Sequence, residues 1–296
     1  MKRFPSKSLL RLSTLCLTTL LLMFSACSKS EEYVYVDDTI VDNGKVPVTA
    51  TDANGNESGL SVGSTMGIYV TDGDGNVTLL QAEVGADGTI VLPASAQGMR
   101  MVAYLPYQEH WDNNALYTPQ VFQVASEQTT EASYEASDLM IGGYDGVTRS
   151  VGGMLFVHQM AQVMIHIVDE TGVNDYENCG VTLRNVKNAV SVNLSEQSVA
   201  TISSSVGDIK MLPFVVSDHR LSLKAIVAPQ QIEAGTKFIT FINNGYGRRY
   251  SIPQLADIQG GKTYTFSMRL TQDGLEFSGS SVNDWDEEGE VSLEIR

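Results

Sequence analysis

Apolar and polar positions alternate with a period of two over short stretches along most of the chain. In the first half the clearest runs are Met66–Val70 (MGIYV), Asn76–Val84 (NVTLLQAEV), Thr89–Pro93 (TIVLP) and Met99–Pro106 (MRMVAYLP). Lys224–Pro229 (KAIVAP), Lys237–Asn243 (KFITFIN) and Lys262–Leu270 (KTYTFSMRL) follow in the second half. Successive side chains of a strand point to opposite faces, so this period predicts strands with one buried face. No long segment keeps the 3.6-residue period of an amphipathic helix. Asp72-Gly73, Asp74-Gly75, Asp87-Gly88 and Asp273-Gly274 punctuate the runs. Such dipeptides accept positive φ and favour hairpins. Many short strands at this spacing predict an all-β chain of the β-sandwich type.

Two lobes are predicted, residues 46–150 and 151–296, with Gly142, Gly143, Gly146, Gly152 and Gly153 clustered at the joint. The second lobe opens with the apolar run Gly152–Val168 (GGMLFVHQMAQVMIHIV), predicted as one long strand. At the C-terminus, Val291, Leu293 and Ile295 alternate with Ser292, Glu294 and Arg296. A strand with that pattern can lie across an apolar groove or close its own sheet.

Residues 1–26 break the pattern. Lys2, Arg3, Lys7 and Arg11 precede an apolar run, Leu12–Phe24. The run is shorter than the about 20 residues that a spanning helix needs. A basic start, a short apolar core and the small residues Ser25 and Ala26 describe a secretory signal peptide. The order Ser25-Ala26-Cys27 resembles the bacterial lipobox, with Phe24 where that motif prefers Leu. The resemblance implies that the signal is cut before Cys27 and that the Cys27 sulfur carries lipid. Stable anchoring needs more than one acyl chain. Lipoprotein cysteines carry three, which implies lasting attachment to the outer membrane. Residues 27–45 form an acidic leader or tether. Its start, Ser28-Lys29-Ser30-Glu31-Glu32, resembles the signal that sends lipoproteins of Bacteroides-type bacteria to the cell surface. A solvated linker has the same composition.

The formal charge is −16 over 296 residues, and removing the signal with its four basic residues takes it to −20. Phosphate neutralisation needs Lys and Arg, so nucleic acid is excluded as a general partner. Cys16 leaves with the signal and Cys27 is the lipid site, so Cys179 has no cysteine to pair with in the mature chain. That excludes an internal disulfide and a cysteine-based zinc site.

Several segments taken in order resemble the fimbrillin family, the lipoprotein subunits of fimbriae in Bacteroides-type bacteria. They are Val102–Tyr107 (VAYLPY), Asp138–Gly143 (DLMIGG), Leu155–Ile167 (LFVHQMAQVMIHI), Ala225–Gly235 (AIVAPQQIEAG), Gly260–Leu270 (GGKTYTFSMRL) and the late Trp285. The resemblance implies two transthyretin-like β-sandwich domains in tandem. It also implies a surface fimbria assembled by strand exchange and serving adhesion to a host or bacterial receptor. In that scheme a trypsin-like protease cuts after a basic residue, and a terminal strand of one subunit fills the groove opened in the next. Lys45 is the candidate cleavage residue; it follows Asn43-Gly44, which predicts an accessible turn. The family's stalk subunits are cut after Arg, so the anchor role, with lipid retained on Cys27, stays open beside stalk and tip. Val291, Leu293 and Ile295 are the candidate donor strand. The partners implied are other fimbrial subunits, the membrane and the protease.

Other chemistry is declined. Asp72, Asp74, Asn76 and Glu83 fit part of a calcium-loop spacing, but Val77 stands where that loop needs Gly, so a hairpin turn is predicted. His158 and His166 are eight residues apart on the predicted long strand, too far to share a metal. No G-x-S-x-G or H-E-x-x-H is present, and no catalytic residue, metal site or cofactor is expected. The acidic residues Asp284, Asp286, Glu287, Glu288 and Glu290 read as a solvated loop around Trp285. A surface glycan-binding lipoprotein is the alternative reading, with Trp111 as its candidate platform.

Overall fold

The computed structural model describes residues 44–52, 55–97, 99–144, 153–170, 176, 179–217, 219–243, 246–253 and 255–285. These fall within one compact unit, Val41–Arg296. The strands of the first half are β1 (Lys45–Thr51), β2 (Glu57–Gly59), β3 (Thr65–Thr71), β4 (Val77–Glu83), β5 (Thr89–Val91), β6 (Arg100–Leu105), β7 (Gln120–Gln123), β8 (Met140–Tyr144) and β9 (Met154–His158). Then come β10 (Ala161–Asp169), β11 (Cys179–Lys187), β12 (Ala189–Asn193), β13 (Ser198–Thr201), β14 (Val206–Lys210) and β15 (Leu212–Ser217). The chain continues with β16 (Arg220–Val227), β17 (Gln230–Ile232), β18 (Ile239–Asn243), β19 (Tyr246–Tyr250), β20 (Ala256–Ile258), β21 (Lys262–Thr271) and β22 (Gly274–Asp284). Among the described residues the α-helix is short, α1 (Glu131–Glu135), and a capping box from Thr130 and Ser133 closes its start. The architecture is an all-β sandwich.

The first sheet runs β2-β1-β9-β8-β6-β3-β4, with β5 paired to the start of β1. Period-two burial gives it two apolar faces. Met66, Ile68, Val70, Met101, Ala103, Met154 and Phe156 pack on one side with Ile90 and Leu92. Tyr69, Val102, Tyr104 and Ile141 face the other way and meet Trp111, Leu116 and Phe122. That second cluster runs on into the other half. Its members there include Val163, Ile165, Leu223 and Phe266 of the sheet β15-β16-β10-β21-β22, Leu183 and Phe241 of the sheet β14-β11-β18-β19, and Val190 and Val192 of β12. Phe238 and Phe266 meet edge to face at 5.6 Å between centroids. Strand β7 crosses from the first half to pair with β12.

The run Gly152–Val168 is two strands in two sheets, a correction to the single strand predicted. Met154, Phe156 and His158 are buried, then Ala161, Val163, Ile165 and Ile167. The buried parity flips from even to odd across Gln159–Met160, so the chain turns there and changes sheet. Strand β9 stays in the first sheet beside β1 and β8, and the chain leaves that sheet after His158. The sequence hides this flip because both parities carry apolar residues and no Gly, Pro, Asn or Asp marks the turn.

Candidate functional site

Gly44, at φ +84°, turns the chain, and its carbonyl accepts from the Leu92 amide at 2.8 Å. Lys45 itself lies in β1 and not in the turn predicted there. Lys45, Val46 and Pro47 are already in register with Val91, Ile90 and Thr89 of β5. The Lys45 ammonium pairs with Asp87 at 2.6 Å, and the Thr89 hydroxyl donates to the same carboxylate at 2.7 Å. The Lys45 hydrogen bond, with that of Thr89, holds the Asp87 carboxyl down at about 2. A protease binds its substrate extended and unpaired. For the Lys45–Val46 bond to lie extended and unpaired, three residues of β1 would have to lift from β5.

The other chain end is held differently. Strand β22 pairs with β21 along its length, up to Lys262 opposite Asp284. Those two side chains form an ion pair. The Trp285 carbonyl accepts from the Thr263 hydroxyl at 3.2 Å. The Trp285 ring stacks on His158, 4.3 Å between centroids and 13° from parallel. His158 Nδ1 lies 3.0 Å from the Asp138 carboxylate, on the segment entering β8. Trp285 is buried to 8% exposure, which makes it a packing anchor.

Strand β1 runs parallel to β9, with Val48 opposite Met154 and Thr51 opposite Val157. Lys45 thus precedes the start of β9, and Trp285 stacks at its end. Between them Leu155 and Val157 project from β9 with 37% and 45% exposure, although the opposite face of the strand is buried. Further exposed apolar residues stand on the two edge strands of the five-stranded sheet. Phe214, Val215 and Val216 are on β15, and Val282 is on β22. An edge strand offers unpaired backbone groups to an incoming strand.

Cys27, Val291, Leu293 and Ile295 lie outside the described residues, as do Asp286, Glu287, Glu288 and Glu290. Asp72 binds the Asp74 and Asn76 amides at 2.9 and 2.8 Å, so it closes a hairpin. Glu83 stands at the far end of that hairpin, opposite Thr65. His158 and His166 fall in different sheets, and His166 Nδ1 meets the Ser222 hydroxyl at 2.7 Å. Trp111, the candidate glycan platform, is 2% exposed and packs on Tyr104 at 4.6 Å, so its face is closed to a ligand. Among the described residues no three His, Cys, Asp or Glu side chains are grouped to hold a metal.

The fimbrillin-like family model matches residues 34–285. A protein named as a candidate fimbrium subunit, Fim1C, of Bacteroides uniformis is 27% identical over 248 residues, covering 75% of this chain and 78% of that one. The crystal structure of a candidate cell adhesion protein from Bacteroides uniformis superposes with a TM-score of 0.58 at 20% identity, covering 82% of this chain and 99% of that one. One from Bacteroides ovatus gives 0.58 at 14% identity with the same coverage. At these identities the structural likeness shows a shared fold.

Proposed function

Because the chain belongs to the fimbrillin-like family, we propose that it is a structural or accessory subunit of a cell-surface fimbria and mediates adhesion to a host or bacterial receptor. In this reading it performs no catalysis. It leaves the cell as an outer-membrane lipoprotein held through Cys27. A trypsin-like protease then cuts after Lys45. The tail strand with Val291, Leu293 and Ile295 completes an apolar strip on a neighbouring subunit, of its own kind or a paralogue. Burying three such side chains contributes roughly 1.5–3 kcal/mol each. The observation that carries the reading is the placement of Lys45 and Trp285 at opposite ends of β9, with Leu155 and Val157 uncovered between them. Fimbriae sheared from cells should yield subunits beginning at Val46. Trypsin treatment of the exported protein should give oligomers that resist SDS. Monomer remaining after complete cleavage would overturn the assembly role.

A second reading is the lipid-retained anchor. It is favoured by the pairing of Lys45 with β5 and Asp87, which shields the bond to be cut. A subunit recovered from membranes with lipidated Cys27 as its first residue would select it.

A further inference from the structure

The joint between the first sheet and the second half holds a cleft of about 640 Å³. That volume is within the range of ligand sites, about 300–1,000 Å³. Four separate segments converge on it: the end of β9, the β12–β13 turn, strand β17, and β20 with its following turn. Each segment brings a side-chain amide, from Gln159, Gln197, Gln231 and Gln259 respectively. Gln230 belongs to the wall: its amide is bonded to the backbone of Lys187 on both sides and to Ala228. Gln197, Ser198, Gln231, Asp257 and Gln259 are exposed. Asp257 and Gln259 are bonded at 3.0 Å, which sets a carboxylate acceptor and an amide side by side. Gln197 sits in the left-handed region at φ +50°, and its amide reaches over Gly143 of β8. Between the polar groups Val157 and Val199, both partly exposed, offer small apolar patches.

We propose that this cleft binds a neutral oligosaccharide. Amides donate and accept in several directions, and a carboxylate accepts two donors at once, so the set matches clustered hydroxyl groups. The valine patches match the C–H faces between hydroxyls. Asp257 and the net charge of −16 disfavour an anionic glycan, and no Lys or Arg lines the cleft to offset them. An extended peptide would pair along one continuous strand edge. Here the polar groups come from four segments and project as side chains. The inference goes beyond the assembly reading and does not depend on it, although Val157 borders both the cleft and the exposed strip of β9, so the test uses the unassembled chain.

The test is an array of neutral di- to tetrasaccharides, their sialylated and sulfated counterparts, and unstructured peptides of matched length. It is probed with the monomeric mature chain, and each hit is titrated by calorimetry. A neutral oligosaccharide should bind. Asp257→Ala should weaken it about 10- to 100-fold, the loss of charge-assisted hydrogen bonds, at an unchanged melting temperature. Should Asp257→Ala lower the melting temperature, Gln231→Ala carries the test, with a several-fold loss expected. No binding, a preference for anionic glycans or for peptides, or equal binding by both variants would overturn the inference. A chain that polymerises yet binds no oligosaccharide sinks the cleft and leaves the fimbrial reading standing.

Discussion

Gly67 faces Tyr104 across the β3–β6 ladder, and the Tyr104 ring occupies the place where a β-carbon would stand. That ring is fully buried and packs against Tyr69 at 5.9 Å and Trp111 at 4.6 Å. Burial pushes the Tyr104 phenol up to about 12. The glycine is there for ring space, not for backbone freedom. Gly67→Ala should therefore destabilise the fold by about 1–3 kcal/mol through overpacking, read by urea unfolding. His166 sets a second residue-scale expectation. Burial, aided by the Arg220 charge, lowers its pKa in the folded chain. The unfolded chain takes up the proton first as pH falls through about 6.5. Stability from this group is thus complete above about 6.5 and declines as pH drops toward the lower folded value. His166→Gln should flatten that part of the stability profile, measured by unfolding between pH 7.5 and 5. An unchanged slope would show that another group sets it.

At the scale of elements, the sequence located strands well where flanking turns were polar. The runs at Met66–Val70, Asn76–Val84 and Lys262–Leu270 became β3, β4 and β21 within one or two residues. It failed where two strands abut without a Gly, Pro, Asn or Asp turn signal, as at Gln159–Met160, because apolar residues stand at both parities of the run and hide the change of phase. It also misplaced the turn at Lys45. Gly44 does turn the chain, but β5 captures the next residue, a pairing 46 residues away in sequence for Lys45 and Val91. The amide-lined cleft had no signal at all: its five glutamines are spread from Gln159 to Gln259 and meet only through the topology. Three ties hold the end of β22: the Trp285 stack on His158, the Lys262–Asp284 pair and the Thr263–Trp285 hydrogen bond. Trp285→Ala removes the stack on His158 and should cost about 3–5 kcal/mol. Amides of β22 near Asp284 should exchange faster, by hydrogen-exchange mass spectrometry. Protection equal to wild type would show that the Lys262–Asp284 and Thr263–Trp285 links hold the strand end unaided. At the other end, Asp87→Ala removes the ion pair to Lys45 and should speed tryptic cleavage after Lys45 several-fold, followed by N-terminal sequencing.

For the molecule as a whole, the positions of Lys45 and Trp285 constrain what an assembly can look like. They mark opposite ends of β9, so a contact between one subunit's tail and the next subunit's processed end joins unlike surfaces. A heterologous contact of that kind closes into a ring only when its rotation permits, and otherwise propagates as a filament. An isologous dimer does not follow from it. After complete cleavage the expected product is a ladder of oligomers that lengthens with protein concentration, read by mass photometry and electron microscopy. Removal of residues 286–296 should abolish the ladder, because the alternating apolar set Val291, Leu293 and Ile295 goes with them. A free peptide of residues 291–296 should shorten the oligomers of the intact chain by occupying acceptor sites. Replacing Leu155 and Val157 with Thr should weaken the acceptor while leaving the buried face of β9, with Met154 and Phe156, in place. Oligomers unaffected by that double substitution would move the acceptor elsewhere, to the exposed β15 edge with Phe214, Val215 and Val216. A closed dimer as the sole product would rule out the head-to-tail geometry itself.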